Sequence, residues 1–111
     1  MHILVTGHTG FKGAWLSIYL NSLGHKVSGL SLDPEPESFF ALSEIEEFLE
    51  RDIRQDIRDK SAISKAFIEI NPDFVIHLAA QPIVKEGYRN PEYTYEVNVN
   101  GTLNVLHSAQ E

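Results

Sequence analysis

Cysteine is absent from the 111 residues, which excludes disulfides and thiolate metal sites and fits a reducing compartment such as the cytoplasm. No apolar run approaches the roughly 20 residues that a membrane span needs. Met1 leads almost directly into the strand-like segment His2-Ile3-Leu4-Val5-Thr6, so no signal peptide is expected. Internal repeats and low-complexity tracts are lacking too. Base is scarce: 9 Lys and Arg stand against 16 Asp and Glu, for a net charge of −7. The excess is concentrated in residues 31–59, where the only bases are Arg51, Arg54 and Arg58. This acidity argues against nucleic acid or an anionic membrane surface as a partner and reads as a solvated face. The histidines (His2, His8, His25, His77, His107) show no paired ligand spacing, so no metal site is expected.

What is present is the material of one globular core, 42% hydrophobic and 23% charged. Residues 2–6 form a short apolar run stopped by Gly7, which predicts a buried strand. From Phe11 to Leu23 the period becomes helical, with Phe11, Trp15, Ile18 or Tyr19, and Leu23 at three- and four-residue steps and Gly24 as the stop. Residues 26–32 predict a second strand, in which Gly29 marks weakness or close backbone packing. Asp33-Pro34-Glu35-Pro36 is a loop. A short helix within 39–48 and a short strand over 49–53 follow. A helix over 60–70 buries Ile63, Phe67 and Ile70 and ends at Asn71-Pro72. Residues 73–78 give a fourth strand. Pro91 opens a last helix that runs to the end, packing through Val97, Gly101, Leu103, Val105 and Leu106.

Strands alternating with helices imply parallel pairing through right-handed crossovers. The fold class expected is α/β: the N-terminal half of a Rossmann-type parallel sheet, strand order 3-2-1-4, spanning residues 1–111 as a partial dinucleotide-binding domain. Its fourth strand would offer an unpaired apolar edge, so a homo-oligomer or domain swap is expected.

The segment Gly7-His8-Thr9-Gly10-Phe11-Lys12-Gly13 lies between the first strand and first helix. Such glycines serve either a plain tight turn or a backbone that must approach a phosphate closely. In this fold one glycine turns the chain, a second admits the pyrophosphate and a third lets the helix pack on the strand. The helix N-terminus then offers N–H groups and a partial positive charge. Lys12 is an unfavourable choice at that terminus, a conflict that a bound phosphate would relieve.

The G-x-x-G-F-x-G spacing resembles the extended short-chain dehydrogenase/reductase family. So do Asp56-Ile57-Arg58-Asp59 after the third strand, His77-Leu78-Ala79-Ala80-Gln81 after the fourth, and Asn98-Val99-Asn100-Gly101-Thr102 on the last helix. The resemblance covers essentially the whole chain. His8, Lys12 and Gln81, with Gly29 to Pro34, are similar to the CDP-glucose 4,6-dehydratase subgroup rather than to generic epimerases. It implies a cofactor site of Gly7, His8, Thr9, Gly10, Phe11, Lys12, Gly13, Asp33, Asp56, Ile57, Leu78, Ala79, Ala80, Gln81 and Asn98, with Asp56 at the adenine. Ser31 falls where the family usually has an acid, but Asp33 follows two residues on and no arginine stands nearby in the sequence. NAD is therefore favoured over NADP.

The resemblance also implies chemistry this chain lacks. The family works with Tyr-x-x-x-Lys and a Ser or Thr. Four residues after Tyr19, Tyr88, Tyr93 and Tyr95 stand Leu23, Glu92, Val97 and Val99. The expectation is the cofactor half of a lyase acting on a nucleotide sugar, without catalytic residues or substrate domain. The alternatives are a piece of an NAD-dependent nucleotide-sugar epimerase and a non-catalytic dinucleotide-binding module.

Overall fold

The computed structural model describes residues 1–110. Strand β1 (His2–Thr6) pairs in parallel with β2 (Lys26–Ser31) on one side and β4 (Phe74–His77) on the other, and β2 pairs with β3 (Asp52–Arg54). The order is β3-β2-β1-β4, as the alternating pattern required. Because successive side chains leave a strand on opposite faces, β1 serves two cores. Leu4 joins Leu30, Ile63, Phe67 and Val105 on one face, while Ile3 and Val5 join Leu20 and Val27 on the other.

Helix α1 (Phe11–Ser22) covers the second face, but not with the stripe its periodicity suggested. Phe11, Trp15, Tyr19 and Leu23 are all more than half exposed, and the buried face is Gly13, Ala14, Ser17 and Leu20. The reason is distance: where the helix starts it lies so close to the turn that only small residues fit. The outward aromatics find a partner in the next helix, α2 (Phe39–Ser43), whose Phe39 stacks on Trp15 at 4.7 Å.

Segment 39–48 is not a single helix. Ser38 caps α2 by accepting from the Ala41 N–H, Glu44 turns left-handed at φ 56°, and a 3₁₀ turn follows at Ile45–Glu47. This break buries both Phe40 and Ile45. Helix α3 (Lys60–Ile70) ends at Asn71, as the sequence indicates, and Asp59 caps its start by accepting from the Ala62 N–H.

Beyond β4 the structure departs further. A helix that the sequence did not announce, α4 (Val84–Arg89), precedes α5 (Pro91–Tyr95). The last helix is interrupted by a π-helical segment over Glu96–Gly101 before α6 (Thr102–Gln110). Gly101 lies against Ile57, where a Cβ would come within 2.5 Å of the Ile57 side chain. Val97, Gly101 and Val105 are buried as expected, whereas Leu103 and Leu106 face outward. Among the described residues, no helix is long and apolar enough to cross a membrane.

Candidate functional site

The three glycines of the first turn have different reasons to be there. Gly7 has φ +79°, and a Cβ on it would lie 2.7 Å from the Ala79 nitrogen. It lets β1 pass directly into contact with the segment after β4. A Cβ on Gly13 would lie 2.1 Å from the Gly7 carbonyl oxygen, so this position sets how closely α1 meets the strand. Gly10 is different: its backbone is ordinary extended chain (φ −77°, ψ 168°), and a Cβ would meet nothing closer than 3.4 Å. The fold does not need a glycine there. It is the N-cap of α1, where Ser or Asp would serve the helix better by accepting from its free N–H groups. Phe11, Lys12 and Gly13 follow with no acid among them, leaving the positive end of the helix uncompensated.

This turn floors a cleft of about 590 Å³. The cleft lies outside the carboxyl ends of the strands, where the chain order reverses on either side of β1, which is where open α/β sheets bind ligands. Of the residues singled out from the sequence, Gly7, Thr9, Gly10, Phe11, Lys12, Gly13, Asp56, Ile57, Leu78, Ala79 and Ala80 line it. Ser31, Leu32, Gln55, Pro82, Tyr93 and Val97 complete the wall without having been picked out as ligand positions. Leu32 and Gln55 could have been found, since each is the first residue past its strand; Tyr93 reaches the cleft only through the packing of α5.

Four expected site residues sit elsewhere. The His8 side chain is fully buried behind the turn, with Nε2 2.7 Å from Asp52 Oδ1 and its ring edge-on to Phe40. It occupies the space that Gly29 leaves, where a Cβ would fall 2.2 Å from the ring. Burial holds its imidazole below the ordinary 6.5, against the pull of the Asp52 hydrogen bond. Asp33 is exposed on its loop and accepts from Arg54 Nη1 at 3.2 Å. The expectation that no arginine stands near Asp33 is therefore corrected: β3 runs beside β2 and brings Arg54 across from Ser31. Gln81 and Asn98 hold each other instead of lining the cleft. Asn98 accepts from the Gln81 N–H at 2.8 Å and donates to its carbonyl at 3.1 Å, while the Gln81 side chain binds Ile83 and Thr94. Their effect is to fix the loop that carries Leu78, Ala79 and Ala80.

A second set of bonds fixes the start of that loop. Thr6 Oγ1 accepts from the Leu78 and Ala79 N–H groups, so its own proton goes to His77 Nδ1 at 2.6 Å. His77 Nε2 then donates to Thr102 Oγ1, which donates to the Asn98 carbonyl. The chain of bonds requires a neutral imidazole, and burial holds His77 below its ordinary value. On the far wall, Arg58 grips the Asp56 carboxylate through Nε and Nη2 and lies over the Tyr93 ring at 4.7 Å. The Arg58 hydrogen bonds keep Asp56 below the usual carboxylate range, charged and able to accept from a ligand N–H. No group of three metal-ligating side chains occurs among the described residues.

Residues 4–111 match a protein family described as GDP-mannose 4,6 dehydratase. The CDP-glucose 4,6-dehydratase of Salmonella typhimurium is 41% identical over 110 residues, which is 98% of this chain and 30% of that enzyme. The UDP-glucose 4-epimerase of Thermus thermophilus, solved in complex with NAD, superposes with TM-score 0.85 at 33% identity, over 99% of this chain and 34% of that one. The UDP-glucose 4-epimerase of Stenotrophomonas maltophila, solved with NAD and formylated UDP-arabinopyranose, gives TM-score 0.84 at 26% identity, over 99% of this chain and 33% of that one. The chain thus spans about a third of the length of the proteins it matches.

Proposed function

The chain belongs to the GDP-mannose 4,6 dehydratase family, and from that premise we propose that its cleft binds NAD as the N-terminal part of a nucleotide-sugar 4,6-dehydratase, with CDP-glucose as the sugar nucleotide. Gly10 carries this reading. It is a glycine without a steric or conformational need inside the fold, set at the N-terminus of a helix to which it offers no capping side chain, on the floor of the cleft. A backbone that must lie against a pyrophosphate supplies the missing reason. In the reading that follows, the N–H groups of Phe11 to Gly13 and the Lys12 ammonium receive the phosphates. Leu32, Ile57, Ala79 and Ala80 supply apolar walls. Asp56, held by Arg58, takes the adenine amino group. Bound NAD would supply the hydride acceptor and donor for the sugar's internal redox and loss of water. None of the four tyrosines is followed four residues on by lysine, so the 111 residues are proposed to bind without turnover.

Titration calorimetry of the chain with NAD tests the reading. Saturable binding that Gly10→Ala weakens at least tenfold, with the thermal melt little changed, is the expected result. Unaltered affinity in Gly10→Ala would leave the glycine a helix cap and nothing more. Conversion of CDP-glucose by the chain alone would refute the assignment of catalysis to groups it lacks.

The reading extends to association. Among the described residues, β4 pairs only with β1, and Phe74 on this edge is more than half exposed. We propose that copies of the chain associate through it. Sedimentation velocity should then show mass above the 12.5 kDa of one chain as concentration rises. A single species at that mass throughout would count against it.

A further inference from the structure

We propose that Arg58 is a positioning residue for base recognition, orienting the Asp56 carboxylate so that the cleft takes adenine and turns away a 6-oxopurine; this rests on the dinucleotide reading of the cleft. Asp56 follows β3, and it is the only carboxylate among the described residues that line the cleft. Arg58, two residues on, holds it from three nitrogens. Its backbone N–H donates to Oδ1 at 2.9 Å, Nε lies 3.1 Å from both oxygens, and Nη2 donates to Oδ2 at 2.8 Å. An ionised carboxylate offers about four lone-pair directions. Three donors leave about one of these, which suits a single N–H such as that of the exocyclic amine of adenine. At that point hypoxanthine would bring a carbonyl oxygen against the carboxylate, with no proton between them.

The arginine is itself held from the opposite wall. Nη1 donates to Glu96 Oε2 at 3.2 Å, and the guanidinium carbon lies 4.7 Å from the centre of the Tyr93 ring. Glu96 stands on the π-helical segment and Tyr93 on α5, so elements outside its own turn fix the guanidinium. The turn does not depend on this side chain in return. The Asp59 N–H donates to the Asp56 carbonyl, and Asn104 Nδ2 from α6 donates to the carbonyls of Ile57 at 2.9 Å and Arg58 at 3.2 Å. Ile57 is buried. A partly exposed ion pair adds little to stability, so holding the turn does not account for Arg58. What its side chain alone does is orient Asp56 and keep it ionised as an acceptor.

The test measures the affinities of NAD and of deamino-NAD, which carries hypoxanthine in place of adenine. The proteins are the wild-type chain, Arg58→Gln, Asp56→Asn and the double variant, with a thermal melt of each. The wild type should prefer NAD. Arg58→Gln should weaken NAD about tenfold, the scale of one charge-assisted hydrogen bond, and deamino-NAD little. The double variant should bind NAD no more weakly than Asp56→Asn, because Arg58 acts through that carboxylate. Equal weakening toward both dinucleotides would make Arg58 a brace of the wall and overturn the positioning role. Additive losses in the double variant would overturn its action through Asp56. Should Arg58→Gln fail to fold, Arg58→Lys carries the test, since it keeps the charge and lacks the fork. An unchanged preference for NAD in that variant would refute the orienting role. A wild type that binds both dinucleotides equally overturns base selection and leaves the dinucleotide reading standing. One that binds neither removes both.

Discussion

Replacing glycine by alanine at residues 13, 10 and 87 should give three different results, although each lies in or at the start of a helix. At Gly13 the added Cβ would stand 2.1 Å from the Gly7 oxygen and 2.8 Å from both the Gly7 carbonyl carbon and the His8 Cα. Ordinary contact begins near 3.4 Å, so the shortfall is large, and every atom met is backbone that cannot rotate aside. Overpacking of this kind costs about 3 kcal/mol or more. Against it stands about 1 kcal/mol gained from the better helix propensity of alanine. The net loss is about 2 kcal/mol, on the order of 10 °C in the melting temperature of a domain this small. Gly87 in α4 is open, with nothing nearer than Thr94 Oγ1 at 3.9 Å, so Gly87→Ala should keep the propensity gain and stabilise by about 0.5–1 kcal/mol. Gly10→Ala exchanges a poorer N-cap for a less flexible unfolded chain and should stay within about 1 kcal/mol of wild type. Urea unfolding of the three variants decides it. A Gly13→Ala protein as stable as wild type would refute the steric account of the turn. A Gly10→Ala protein as damaged as Gly13→Ala would remove the distinction on which the proposed function rests.

Two further outcomes follow from buried contacts. Burial keeps His8 and His77 below 6.5, so below that pH the unfolded chain takes up protons that the folded chain resists. Stability should therefore be full above about pH 6.5 and fall as the pH drops toward the depressed folded values; a urea midpoint that stays flat between about pH 8 and pH 5 would show that neither imidazole is held neutral. Gly101→Ala should lower the melting temperature because its Cβ would meet Ile57 Cδ1 at 2.5 Å. Ile57 Cγ1 lies as close, at 2.6 Å, so Ile57→Ala, which removes both carbons, should make Gly101→Ala cost less in that background, and an additive double variant would show that the two positions are not coupled.

Much of the fold was legible in the sequence because its signals are local. The apolar run of β1, the stop at Gly24 and the Asn71-Pro72 break each act within one turn or one strand of themselves. The alternation of strands and helices then leaves parallel pairing as the economical solution. Most of the cleft was legible for the same reason, since its motifs follow directly after strands. Tertiary distance decided the rest. Period alone cannot tell which side of α1 is buried when small and large residues both recur at helical steps; the Gly7–Gly13 approach settles it in favour of the small ones. Whether His8 faces a ligand depends on a cavity at Gly29 and a carboxylate from β3, 44 residues away. The arginine beside Asp33 is 21 residues distant in sequence and adjacent only because β3 pairs with β2. The sequence by itself determined a parallel sheet with a glycine turn at its centre. Only the folded chain decided which of the turn's glycines the packing itself requires, because that depends on which Cβ would collide with backbone brought in from elsewhere.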